Sequence, residues 1–472
     1  MARTLLAEVV PFIGGLRSVL AGSPGPLTDD GRSRERYRRA FLTSITSATL
    51  KGITVITTAV SVPLTFHYLG RERYGLWITI SSAVTMLAFG DLGLGNGLLN
   101  AVAAASARDD RQTLRRTVST AFFLLLAIAA LAVFAFTLAY SHLDWATLFN
   151  SKSAAAMAEA GPTCAVLFFC FALSLPLGTV QRVQLGFQEG FRSNIWQIAG
   201  SIVAFAALIV AISLRSGLPW LVAAVSSAPV LLLTANWVAQ FRWARPWLMP
   251  SWRLFDPPTA RSLMHRGSLF FCSQVGAALV TQAPTLMIAH ILGPASVPEY
   301  GVALKVITLV LLLNSMLLSP LWPAYADAYA ASDMSWVRRT FVRTLRSSLA
   351  VSFVGSALFF ATYRQIIPTW VSSEVMPTVL TAASLSAFAV FNSVRYAASM
   401  CLNGCNRLVG QAVYQLPAAI GGALIANALS RKHGVGGIAL GFTAAEFLVA
   451  LCQLVEIRLF FTAFDKPNTQ TK

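Results

Sequence analysis

About twelve long apolar runs follow one another along the 472 residues, near 41–66, 75–99, 118–140, 160–180, 194–214, 217–240, 268–292, 300–320, 341–363, 375–396, 408–429 and 436–461. An α-helix rises about 1.5 Å per residue, so about 20 such residues cross the ~30 Å hydrocarbon core of a bilayer. Runs of this length and number fold as membrane-crossing helices, and the expected class is all-α and polytopic. The composition agrees: 56% of residues are hydrophobic and only 12% charged, a balance foreign to soluble chains. About twelve spans of roughly 20 residues occupy on the order of 240 residues. Loops are therefore short, and a large soluble catalytic domain is excluded.

Lys and Arg close to spans stay on the cytoplasmic side of a membrane. With the N-terminus inside, 27 of the 36 basic residues fall in inner segments and 7 in outer loops, so an N-in, C-in chain is expected. The net charge of +17 thus marks topology. Nucleic-acid binders instead gather their basic residues on one soluble face, and no nucleic-acid partner is expected. Residues 1–40 form a basic arm whose Glu8 and Pro11 spoil the apolar region of a secretory signal; a cytoplasmic, partly amphipathic arm is expected.

The sequence also repeats itself. Asp110, Leu114, Arg115, Arg116 and Thr117 match Asp333, Val337, Arg338, Arg339 and Thr340 at an offset of 223. Leu69-Gly70 before Tyr74-Gly75 is echoed by Leu292-Gly293 before Tyr300-Gly301, and Leu185-Gly186 by Leu402 and Gly404. These echoes divide the chain into an N-terminal lobe (41–240), a Pro-, Trp- and Arg-rich linker (241–267), a C-terminal lobe (268–462) and a tail (463–472). Six spans per lobe return the chain to the side where it began, so the lobes run parallel, pseudo-symmetric, with a site expected between them.

An ionisable group inside a membrane costs about 2.5–3.5 kcal/mol on insertion scales, so each one is a functional candidate. Lys51 lies ten residues into the first run and Asp91 about sixteen into the second, at depths where the two could meet as a structural pair or face a central cavity. At the repeat offset Lys51 falls on Gln274 and Asp91 on Asn314. Polar groups at matching places suit a cavity, or interhelical hydrogen bonding. Lys305 lies five residues into its run, close enough to the end to snorkel, and Arg395 stands at the edge of another. Glu446 is the deepest carboxylate; with Asp91 it is a candidate for a coupling proton or cation, or a satisfied structural group. The glycines of Asp91-Leu-Gly-Leu-Gly-Asn-Gly97 are expected to let the helix bend or pack closely. No G-x-S-x-G, phosphate-binding loop or metal-spaced His-Glu pair is present. No enzyme, no metal and no cofactor are expected, and a proton or sodium gradient is the expected drive.

Val62-Pro63-Leu-Thr-Phe-His-Tyr68-Leu69-Gly70-Arg-Glu-Arg-Tyr74-Gly75-Leu76-Trp77 and Phe89-Gly-Asp91-Leu-Gly-Leu-Gly-Asn-Gly97 resemble the first two helices of the oligosaccharide flippases of the multidrug/oligosaccharidyl-lipid/polysaccharide (MOP) exporter superfamily. Leu185-Gly-Phe-Gln-Glu189-Gly190 and Pro320-Leu-Trp-Pro323-Ala-Tyr-Ala-Asp327 extend the likeness over about 40–462. The resemblance implies two six-helix lobes working by alternating access in the bacterial inner membrane. It implies a polyprenyl-diphosphate-linked oligosaccharide as cargo, and polysaccharide polymerase or export proteins as associates. No catalytic residue is carried over. Lys51, helped by Lys305 or Arg395, would take the anionic head group. A cation-coupled drug exporter of the same superfamily would instead want carboxylates such as Asp91 and Glu446 facing the cavity. A polymerase would need a periplasmic loop longer than 141–159.

Overall fold

The computed structural model describes residues 29–87, 91, 93–318, 321–407 and 409–464; the expected arm and tail lie largely outside these. Among the described residues the secondary structure is helical throughout, without strands. The first half contains α1 (Asp29–Leu87), α2 (Leu94–Ala107), α3 (Arg111–Tyr140), α4 (Ala154–Leu177), α5 (Thr179–Gly186), α6 (Gly190–Ser213) and α7 (Leu218–Val238). The second contains α8 (Pro257–Leu292), α9 (Val297–Leu318), α10 (Leu321–Ala330), α11 (Met334–Trp370), α12 (Val379–Gly404) and α13 (Val409–Phe464). Among the described residues eight stretches are long and apolar enough to cross a membrane; two of these, at 46 and 50 residues, exceed what one crossing needs. Both break at a glycine: α1 at Gly70 and α13 at Gly434. The protein is an all-helical, polytopic membrane protein.

The repeat is visible in the backbone. Gly70 (φ 74°, ψ 175°) and Gly293 (φ 89°, ψ 157°), 223 residues apart, share a conformation that a side chain resists. Asp109 and Ser332, at the same spacing, both take the left-handed conformation. Asp110 and Asp333 then cap the helices that follow, accepting from the Thr113 and Trp336 amides at 3.0 and 2.9 Å.

These features define two ends. One carries the breaks at Gly70, Gly293 and Gly434; the other carries the capped, arginine-rich starts of α3 and α11. At the glycine end one hydrophobic core runs through both halves, joining Tyr74, Leu76 and Ile80 to Ile288, Val297 and Tyr300. The backbones meet closely there: a Cβ on Gly75 would stand 1.8 Å from the Pro294 carbonyl oxygen. Arg71 Nε donates to the Ala295 carbonyl at 2.6 Å and Asn150 Nδ2 to that of His290 at 3.1 Å. At the arginine end the cores separate. One holds Leu94, Leu114, Val183 and Phe241 with Leu263 of α8; the other holds Tyr325, Phe341, Cys401 and Phe460. The described halves thus share one core at the glycine end, whereas at the other end the second half keeps a core of its own and the start of α8 packs against the first half.

The stretch expected to link the lobes, 241–267, is ordered, and its last residues are helical. A π-helical turn (Ala239–Ala244) and two single turns (Pro246–Leu248 and Trp252–Leu254) lead into α8, which starts eleven residues before the apolar run at 268. Pro257 and Pro258 tolerate the first turn, and Asp256 caps it by accepting from the Thr259 amide at 3.0 Å.

Candidate functional site

The second apolar run is discontinuous. Asp91 Oδ1 accepts from the Gly93 amide at 2.9 Å, Gly93 is left-handed (φ 73°), and α2 begins afresh at Leu94. The expectation that these glycines bend the helix is met by a full break. Beside this break lies an open cavity of about 500 Å³ lined by Leu50 and Thr54 of α1, Asp91, Leu125 of α3, Ser174 of α4, Arg182 of α5, Trp196 and Gln197 of α6, and Pro229 of α7.

Arg182 and Asp91 approach each other across Gly95. A Cβ on Gly95 would lie 2.8 Å from Arg182 Nε and 2.9 Å from Asp91 Oδ2. Arg182 also donates to Asn96 Oδ1 at 3.3 Å. From its position just after the apolar run 160–180, Arg182 reads as one of the basic residues of an inner segment. The helix in fact resumes at Thr179 after a one-residue interruption at Gly178, which turns Arg182 inward. Trp196, Gln197 and Arg182 carry polarity into the cavity and were missed because their facing depends on helix rotation. The Pro176-Leu-Gly178 step is the sequence signal that marked the interruption.

The structure does not join Lys51 and Asp91 in an ion pair. Lys51 is half-buried and has no charged partner within 4 Å among the described residues; its neighbours Leu50 and Thr54 line the cavity, and Lys51 itself does not. Lys305 is deeper than expected: α9 starts at Val297, placing Lys305 about 12 Å into its helix. It too is half-buried and has no charged partner among the described residues. The side chain of Gln274 lies outside the described residues.

In the second half the expected polar groups are internally satisfied. Asn314 is 2% exposed; its amide donates to Ser352 and, at 3.0 Å, to Ser393, and its oxygen accepts from Ser348 at 2.9 Å. It fastens α9 to α11 and α12, the hydrogen-bonding alternative of the sequence reading. Arg395 lies within α12, nine residues before its end, rather than at a span edge. Its Nε donates to Glu446, which also accepts from Asn392 Nδ2 at 2.9 Å. Arg395 and Glu446 are thus each other's partners between α12 and α13. Among the described residues no cluster of His, Cys, Asp and Glu could hold a metal ion.

Residues 43–329 match the model of the family described as polysaccharide biosynthesis protein. The chain belongs to that family. It is 21% identical over 308 residues to a putative O-antigen transporter of Salmonella typhi, a match covering 64% of this chain and 66% of the relative, just under two thirds of its length. Among solved structures, inward-facing and outward-facing forms of a multidrug resistance MATE family transporter of the MOP superfamily superpose with TM-scores of 0.70 and 0.69 at 13% and 14% identity. They cover 88% and 92% of this chain and 100% and 97% of theirs. A MOP superfamily transporter from Pyrococcus furiosus superposes at 0.66 with 14% identity, over 92% of this chain and 97% of its own. The fold is therefore that of MOP superfamily transporters.

Proposed function

We propose that the chain is a transporter that moves a polyprenyl-diphosphate-linked oligosaccharide across the cytoplasmic membrane by alternating access between its two halves. The observation that carries the choice of an anionic cargo is the interior charge balance. Lys51 and Lys305 lack charged partners among the described residues, and Arg182 answers Asp91 across Gly95. Glu446, the strongest candidate for attracting a cation, is neutralised by Arg395. A diphosphate entering such an interior meets lysine and arginine donors suited to phosphate, whereas a cationic drug meets uncompensated positive charge. Family membership and the O-antigen transporter relative support the same reading.

The arginine-rich end faces the cytoplasm in this reading, by the retention of Arg near spans. The glycine end, where the halves share one core, is then the outer face, and loading takes place from the inside. Glu446 is the proposed coupling group: once Arg395 is drawn to another anion, its carboxylate is free to take a proton. The test is a thermal-shift titration of purified protein with a polyprenyl diphosphate, an uncharged polyprenol and a cationic dye. Stabilisation by the diphosphate, diminished in Lys51→Ala, is the expected result. Stabilisation by the dye alone would replace this reading with that of a cation-coupled multidrug exporter.

A further inference from the structure

The linker and the arginine end of α3 build a surface that the transport reading does not use. At 30 residues α3 is about 45 Å long, some 15 Å more than the hydrocarbon core requires. The linker folds back along this surplus turn by turn. Arg111 lies 5.4 Å from the Trp247 ring centroid. The Ser251 amide donates to Ser119 Oγ at 3.1 Å and the Asp256 amide to Thr120 Oγ1 at 3.0 Å. Trp252 meets Phe123 edge-on at 5.0 Å and stacks with Phe255 at 5.4 Å. Phe241 and Leu248 pin the segment by full burial in the first half's core.

What remains uncovered is aromatic and basic. Trp243 is 73% exposed, Trp252 67% and Met249 41%. Arg242 and Arg253 stand beside the two tryptophans, and Arg111, Arg115 and Arg116 are exposed on α3. Among the described residues Arg115, Arg242 and Arg253 have no carboxylate within 4 Å; Asp256, close to Arg116, is held well below the usual carboxylate range by the Thr259 hydroxyl and amide. Trp252 touches α3 where its apolar run begins. Beyond it the exposed Leu126, Leu131, Phe134 and Leu138 continue away from the arginines. Tryptophan favours the boundary between head groups and hydrocarbon, and basic clusters just outside a span favour anionic lipid.

We infer that this surface is a binding site for an anionic phospholipid of the leaflet at the arginine end. Its phosphate sits among Arg115, Arg242 and Arg253, its upper chain lies against Trp252 and Met249, and its tail follows the apolar stripe of α3. The depth of Trp252 selects lipid over a soluble protein partner, because a surface level with the start of a span is reached from within the bilayer. The second half supplies the contrast: α11 begins with the matching arginines, and the linker does not extend there.

The full-length protein in detergent is titrated with phosphatidylglycerol and, separately, phosphatidylcholine, following thermal stability and lipid adducts by native mass spectrometry. Phosphatidylglycerol should raise the midpoint by about 3 °C or more over phosphatidylcholine. The gain should vanish in Arg242→Ala/Arg253→Ala, persist in the double Lys variant, and persist in the control Arg343→Ala/Arg346→Ala on α11. Trp252→Phe, which keeps an aromatic ring, should retain the gain and guards against reading misfolding as lost binding. Equal stabilisation by the two lipids, or equal loss in the α11 control, overturns the site. Stabilisation by polyprenyl diphosphate alone, lost in the linker variant, would reassign the surface to cargo and leave the transport reading standing.

Discussion

Asp91 and Asn314 occupy matching places of the two halves, 223 residues apart, yet their surroundings differ. Around Asp91 the helix is broken, an arginine faces the carboxylate across a glycine, and a cavity of about 500 Å³ remains open. Around Asn314 the helix is continuous and three serines close the same place with hydrogen bonds; two of these, Ser352 and Ser393, also bond to each other. The second half keeps its charge in a closed Arg395–Glu446 pair. A repeated sequence has thus produced one half with room and unneutralised polarity, and one half that is cross-braced. That asymmetry suits a machine in which one half admits and releases ligand while the other holds its shape.

The comparison can be broken at several points. Lys51→Ala should lower glycan export at least roughly tenfold, the loss of an interaction of about 1.4 kcal/mol, with the protein still folded in the membrane. Unchanged export by a surface-glycan assay would remove Lys51 from the transport path. Arg182→Ala should reduce export by a smaller factor with a nearly unchanged melting point; a large stability loss with normal transport would make the first-half cavity structural.

In the second half the order of effects reverses. Glu446→Gln leaves Arg395 buried without its counter-charge and should destabilise the protein by about 3–5 kcal/mol, measured by denaturation. Pairing it with Arg395→Met should restore much of this stability, and gradient-driven transport should stay impaired in both variants. Normal gradient response in the double variant would leave the pair a brace only. Asn314→Ala should cost about 1–3 kcal/mol, the penalty of stranding buried hydroxyls, with little change in transport per folded molecule.

The smallest effect belongs to Glu189, at the arginine end. Burial raises its pKa, but the Arg245 hydrogen bond and the charges of Arg245, Arg192 and Arg39 outweigh burial and leave it below the ordinary value. A depressed carboxylate adds stability above its unfolded pKa and loses it as pH falls through the folded one. Acid unfolding below the usual carboxylate range should therefore be less steep in Glu189→Gln; an identical pH profile would show that the cluster contributes nothing.

Helix positions and the repeat were legible in the sequence because apolar length and glycine placement are local properties. Gly70 and Gly293, or Asp110 and Asp333, behave alike because each conformation is set within a few residues. The site was only partly legible. Depth along a helix located Asp91 and Glu446 among the interior groups, but contact depends on rotation about the axis and on the neighbour met there. Arg395 found Glu446, a partner 51 positions away that no periodicity announces, and Asn314 found serines on two other helices. Arg182 was hidden by an interruption of a single residue, and Lys305 by a helix that starts earlier than its apolar run.

The central claim is tested most directly by reconstituting the purified protein in liposomes that carry a polyprenyl-diphosphate-linked oligosaccharide, then following sugar exposure on the far leaflet with an impermeant probe. Movement that requires the protein, needs the diphosphate and fails in Lys51→Ala is the predicted result. Absence of movement in sealed vesicles where the same protein transports a cationic dye would contradict the account.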